Sequence, residues 1–276
     1  MNSDNDAARE AGHELDKYSG DRIENEYKYK LNFEEWWKFR EKVRAGIDVD
    51  RLRMKDGTAV GNENKYKYSA FGRANYIVYL SLASAYENIS RINKLDPRDV
   101  LQYFLFNKLV AETYYHYGVA IDNIARIILI LFGDKHASVK EVNEVDYGKF
   151  ISGRYSHIKV IGAVRLENEK IKEVIQTRNN LTHYWKTSAS VKSSDVFWPE
   201  ILREKKGGVF WWYRGKNRLE TLNDKFEDLG RDAHNLNVRK MIDDDFRIVL
   251  EFLSSIYKSS FDQVDQWLEK NGLVLQ

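Results

Sequence analysis

The sequence predicts an all-α protein, an up-and-down bundle of long helices. Apolar residues recur at three- and four-residue spacing over several long stretches, which marks one buried face per helix. Only two prolines, Pro97 and Pro199, interrupt the 276 residues, so long segments are free to be helical. Hydrophobic residues make up 43% and aromatic residues 13%, enough for a sizeable packed core.

Residues 1 to about 30 are charged and sparsely apolar and read as a polar N-terminal arm. Residues 31–276 read as a single helical domain, with core helices over about 70–185 and 236–270 and an insertion at 186–234. Asn32 ahead of Glu35 has the spacing of a cap, opening a short helix with Trp36, Phe39 and Val43 on one face. Residues 54–69 hold Gly57 and Gly61 among polar neighbours and read as a loop. A helix follows from about Phe71 to Asn93. In Asp96-Pro97-Arg98-Asp99, an acid caps, proline fills the first helical position and a second acid meets the helix dipole. The helix opened there carries Leu105, Leu109, Tyr114, Tyr117, Ile121, Ile124, Ile128 and Leu131 on one stripe, and Gly133 stops it. Residues 134–163 have no clear period. Arg165 to about His183 forms a helix with Ile171, Val174, Ile175 and Leu181 inward. In the less regular insertion, Lys206-Gly207-Gly208 before Val209–Tyr213 reads as a short β-hairpin. The last helix runs from about Val238 to Glu269, with Phe246, Val249, Leu250, Leu253, Ile256, Tyr257, Phe261, Val264 and Leu268 in period.

Several chemistries are excluded or unexpected. Without cysteine there is no disulfide, zinc–thiolate site or cysteine nucleophile, which suits a reducing cytoplasm. The N-terminus has neither an apolar signal core nor an Arg-rich transit pattern. The most apolar run, Ile121–Phe132, is broken by Asp122 and Arg126 and is shorter than the roughly 20 residues of a membrane span. A soluble cytoplasmic protein with no membrane contact is therefore expected. The net charge of +2, from 44 basic and 42 acidic residues, means that a nucleic-acid footprint would be local. No Gly-rich phosphate loop, Gly-x-Ser-x-Gly elbow or His-Glu-x-x-His helix occurs. Asp243-Asp244-Asp245 lies early in the last helix, where carboxylates serve the dipole, so no metal and no cofactor is expected. His13, His116, His136, His157 and His234 lack neighbours that would complete a metal or triad pattern.

One constellation carries chemistry: Arg178-Asn179-Asn180-Leu181-Thr182-His183. Arg178 continues the stripe of Ile171, Val174 and Ile175, so its charge points toward the bundle or a subunit interface and needs a partner. His183 is five residues on, about 140° around an ideal helix, so the helix is expected to end or bend between them. A shared cleft would then let both reach one phosphate. The bland alternative pairs Arg178 with an inward carboxylate such as Asp122 and leaves His183 to cap helix carbonyls.

An Arg, a polar residue and a His four to six positions after the Arg, near a helix end in a bundle, resembles the HEPN superfamily, in particular its larger bacterial members. The resemblance implies a metal-independent endoribonuclease acting on RNA, with its site across a homodimer interface. It also implies a toxin or defence role, with an antitoxin or other regulatory partner. Carried over, Arg178 is the family's arginine, Asn179 its polar residue and His183 its histidine. HEPN toxins paired with nucleotidyltransferases often carry Tyr two places after the His. Here Trp185 stands there and Tyr184 is one residue early, so Tyr184 is kept only as a supporting residue beside Asp122. The residue types suit the reaction: the ribose 2′-hydroxyl attacks, histidine serves as acid or base near neutral pH, and arginine offers a charged planar fork to phosphate oxygens. The rival reading is a catalytically silent helical module that binds a protein or nucleotide through the same cleft.

Segment 203–218 is the second candidate. Arg203, Lys205, Lys206, Arg214, Lys216 and Arg218 face a single acid, Glu204, and flank Trp211 and Trp212. Cations interleaved with aromatics suit single-stranded RNA. A hairpin packing its aromatics on the bundle fits the same residues.

Overall fold

The computed structural model describes residues 27, 30–43, 52–95, 100–133, 137–153, 155–188 and 231–275. Of these residues 75% are helical, in eight helices with only very short strands, so the chain is mainly α. It divides into two units, Met1–Glu34 and Glu35–Gln276. In the first, the Lys30 ammonium lies 4.8 Å from the Tyr27 ring centre, and Asn32 has φ 47, a left-handed turn that asparagine tolerates.

The second unit is built on helix pairs. Helix α1 (Glu34–Val43) lays Trp36 on Tyr79, with ring centres 4.2 Å apart. Its indole Nε1 donates to the Asn75 carbonyl at 2.9 Å. Helices α2 (Asn62–Ile92) and α3 (Val100–Phe132) form an antiparallel hairpin. Lys67, early in α2, shares a pocket wall with Ile130 and Gly133 at the far end of α3. Helix α4 (Val139–Glu144) opens on a capping box made by Ser138 and Glu141, and α5 (Tyr147–Ser152) is capped by Asp146. A hairpin of β2 (Val160–Ile161) and β3 (Val164–Arg165) leads to α6 (Glu169–Ser188), which packs on α3. Helix α7 (Arg231–Ser260) runs back along α2: Phe246 meets Tyr86, and Trp267 of α8 (Gln263–Lys270) stacks on Tyr68 at the other end. Val78 and Leu82 of α2, Ile121 and Ile124 of α3, Ile171 and Val174 of α6, and Val249 and Leu253 of α7 are fully buried. Each such side chain contributes about 1.5–3 kcal/mol of transfer free energy.

Five expectations need correction. The helix expected from Arg165 begins at Glu169, and Val164–Arg165 form strand β3. Residues 62–69 are helical, because α2 begins at Asn62. Its first turns hide an apolar face behind polar spelling: Tyr68 is buried, and Lys67 buries its stem while its ammonium pairs with Glu63 at 2.8 Å. The predicted last helix is two helices, since Phe261–Asp262 form a turn between α7 and α8. A two-stranded antiparallel sheet joins β1 (Leu52–Met54) to β4 (Leu273–Leu275), with Leu52 opposite Leu275 and Met54 opposite Leu273. Three residues hold too little alternation to be read as strand. Finally, α6 extends to Ser188 and α7 starts at Arg231, narrowing the insertion at both ends. The hairpin expected within the insertion lies outside the described residues.

The stretch Lys108–Phe132 of α3 is long and apolar enough to cross a membrane by composition, and 67% of its window is buried inside the protein. This corrects the expectation of a run too short to span, because the apolar stretch reaches back through residues 109–120 of α3 and not only over Ile121–Phe132.

Candidate functional site

Arg178 lies on α6 one residue past Thr177, which is buried and donates its hydroxyl to the Glu173 carbonyl. Helix α3 receives the arginine at two positions one turn apart, Gly118 and Asp122. A Cβ at Gly118 would stand 2.1 Å from Cδ of Arg178, 2.5 Å from Nη1 and 2.8 Å from Nε. The missing side chain is therefore the seat of the arginine. Glycine inside a helix costs roughly 1 kcal/mol relative to alanine, and here the close approach is what it permits.

The Asp122 carboxylate uses both oxygens. Its Oδ2 accepts from Nη1 of Arg178 at 2.7 Å, and Oδ1 accepts from the Tyr147 backbone N–H at 3.0 Å. One carboxylate thus ties α3 to the first residue of α5 and to α6. The Tyr147 hydroxyl continues the connection by donating to the Leu166 carbonyl just ahead of α6. Burial pushes that phenol up to about 12. Oδ1 of Asn179 accepts from Nε and Nη2 of Arg178 at 3.1 and 3.0 Å. The guanidinium plane is therefore fixed on two sides by neighbours of different chemistry. The side chains of Arg178 and Asp122 each keep 21% of their surface in solvent. The pair belongs between the exposed regime of about 0–1 kcal/mol and the buried regime, where breaking a pair costs about 3–5 kcal/mol.

Helix α6 runs unbroken through Arg178 and His183 to Ser188. The end or bend expected between the two residues is not there. Leu181 and Trp185 continue the apolar period begun by Ile171 and Val174, which gives the helix reason to go on. In a continuous helix the two Cα positions are about 7.5 Å apart along the axis and about 140° apart around it. The side chains of His183 and Tyr184, and all of Arg203, Lys205, Lys206, Trp211, Trp212, Arg214, Lys216 and Arg218, lie outside the described residues.

The structure brings together Arg178, Asn179 and Asp122, and adds Gly118, which the sequence reading passed over. A glycine inside a strong helical period was the available signal. The carboxylate run does not converge. Asp245 is fully buried and accepts from the Tyr114 hydroxyl at 2.6 Å, Asp244 is exposed, and burial raises the pKa of half-buried Asp243. Among the described residues no three His, Cys, Asp or Glu side chains are grouped to hold a metal. No family model matches the chain, and no curated protein or solved structure is significantly similar to it.

Proposed function

We propose that the protein is a metal-independent endoribonuclease of HEPN type that acts in the cytoplasm as a toxin or defence effector. The observation that supports it most is the Arg178 guanidinium: seated on Gly118, oriented by Asp122 and Asn179, and still in contact with solvent. A fixed cation at the surface is suited to the charge that builds on phosphorus during attack by the 2′-hydroxyl. In this reading Arg178 stabilises the phosphate, Asn179 sets the plane of the fork, and His183 exchanges protons with the ribose or leaving oxygen. Asp122 is the positioning residue for Arg178.

A second reading draws on the same ion pair. A guanidinium closed onto Asp122 also fits a catalytically silent module in which Arg178 fastens α6 to α3. Incubation with total RNA in EDTA separates the two. The ribonuclease should cleave in chelator and leave 2′,3′-cyclic phosphate ends. His183→Ala and Arg178→Ala should each abolish cleavage with the helical circular dichroism signal intact. Unfolding of Arg178→Ala, with no cleavage by the wild type, would favour the silent module.

A further inference from the structure

The stripe of α3 that seats Arg178 continues toward the N-terminus of that helix. Tyr115 stands three residues before Gly118 and seven before Asp122, about 4.5 and 10.5 Å along the axis and within about 60° of both. Lys108 is seven residues farther back on the same line. Tyr115 is 57% exposed, one of two large hydrophobic side chains left so open among the described residues. Its neighbours Tyr114 and Tyr117 are fully buried, so the helix turns this one aromatic outward. The ring meets His116 edge to face at 5.8 Å, which braces it against the helix. Lys108 is exposed and pairs with Glu112 at 3.6 Å, a weak surface contact that a phosphate can displace. Along one face the order is cation, aromatic, cation, with Glu112 and Asp122 each paired to one of the two cations.

That order is how single-stranded nucleic acid is held: the cations follow the phosphates and the aromatic ring stacks on a base. We propose that this stripe of α3 is a track for single-stranded RNA. Tyr115 stacks on a nucleobase next to the phosphate at Arg178, and Lys108 meets a phosphate farther along. The role of Arg178 in the track rests on the ribonuclease reading; the stacking by Tyr115 is testable without it.

The probe is a short single-stranded oligoribonucleotide carrying 2-aminopurine, titrated into full-length His183→Ala protein so that cleavage does not intrude. Binding should quench the 2-aminopurine fluorescence. Tyr115→Ala in the same background should abolish the quench and weaken binding about fivefold or more, the loss of one stacked base. Tyr115→Trp should restore both. Lys108→Glu should weaken binding and flatten its salt dependence. Equal affinity and quench with and without Tyr115 would overturn the track. If the wild type still cleaved RNA, the ribonuclease reading would survive that result. Tyr115-dependent binding by a protein that never cleaves RNA would sustain the track and sink the ribonuclease. Loss of self-association in Tyr115→Ala, with RNA affinity unchanged, would assign this face to a second copy of the chain and overturn the proposal.

Discussion

Gly118 decides where Arg178 lies. A methyl there would overlap Cδ of the arginine, so the side chain must change its torsions and leave its seat. Gly118→Ala gains about 1 kcal/mol of helix propensity and forfeits an ion pair of about 1–3 kcal/mol, so the unfolding free energy should fall by no more than about 2 kcal/mol. RNA cleavage should nevertheless fall at least tenfold. Parallel urea titrations and initial rates would check this, and a full-rate Gly118→Ala enzyme would remove Arg178 from the chemistry. His116 supports a prediction of a different kind. Burial lowers its pKa, with nearby Glu112 opposing the shift, so the folded protein takes up this proton less readily than the unfolded chain. Its contribution to stability is therefore complete above the unfolded value of about 6.5 and is lost as the pH falls through the lowered folded value. Urea midpoints measured from pH 7 down to 5 should decline less steeply in His116→Gln. An unchanged slope would assign the pH dependence to other groups.

At the scale of elements, legibility followed length. Helices α3 and α7 each bury a stripe over many turns, and a period sustained that long stands out in the sequence. The first turns of α2 did not, because Lys67 supplies apolar surface through its stem alone. The strands did not either, although the β1–β4 pair holds residues 52–54 against the C-terminal end of the chain. That junction depends on Gly272, whose φ of 65 lets the chain leave α8 while its N–H bonds the Glu269 carbonyl at 2.9 Å. Leu273 follows directly and is 1% exposed. Leu273→Ala should lower the unfolding free energy by about 2–4 kcal/mol, the cost of a core truncation. A loss below 0.5 kcal/mol (about the size of a surface substitution) would mean that the clasp is dispensable. The same contrast of scale governs the site. Arg178, Asn179 and Asp122 were legible because a charge on an apolar stripe asks for a partner. Gly118 was passed over, since a glycine inside a strong helical period signals a close approach but not which side chain makes it.

For the whole molecule, we propose a homodimer on chemical grounds. In-line cleavage needs a base on one side of phosphorus and an acid on the other, and the motif provides one histidine per chain. Because α6 does not bend between Arg178 and His183, their Cα positions stay about 140° apart around the axis. Two copies related by a dyad would place two Arg178 forks and two His183 side chains around one groove. Activity per mole of chain should then fall on dilution, in step with the dimer fraction seen by sedimentation velocity under the same conditions. His183→Ala added in excess should depress wild-type activity by drawing it into mixed dimers. Constant specific activity from a species that sediments as a monomer would rule out the shared groove and give the second proton-transfer role to another residue of the same chain.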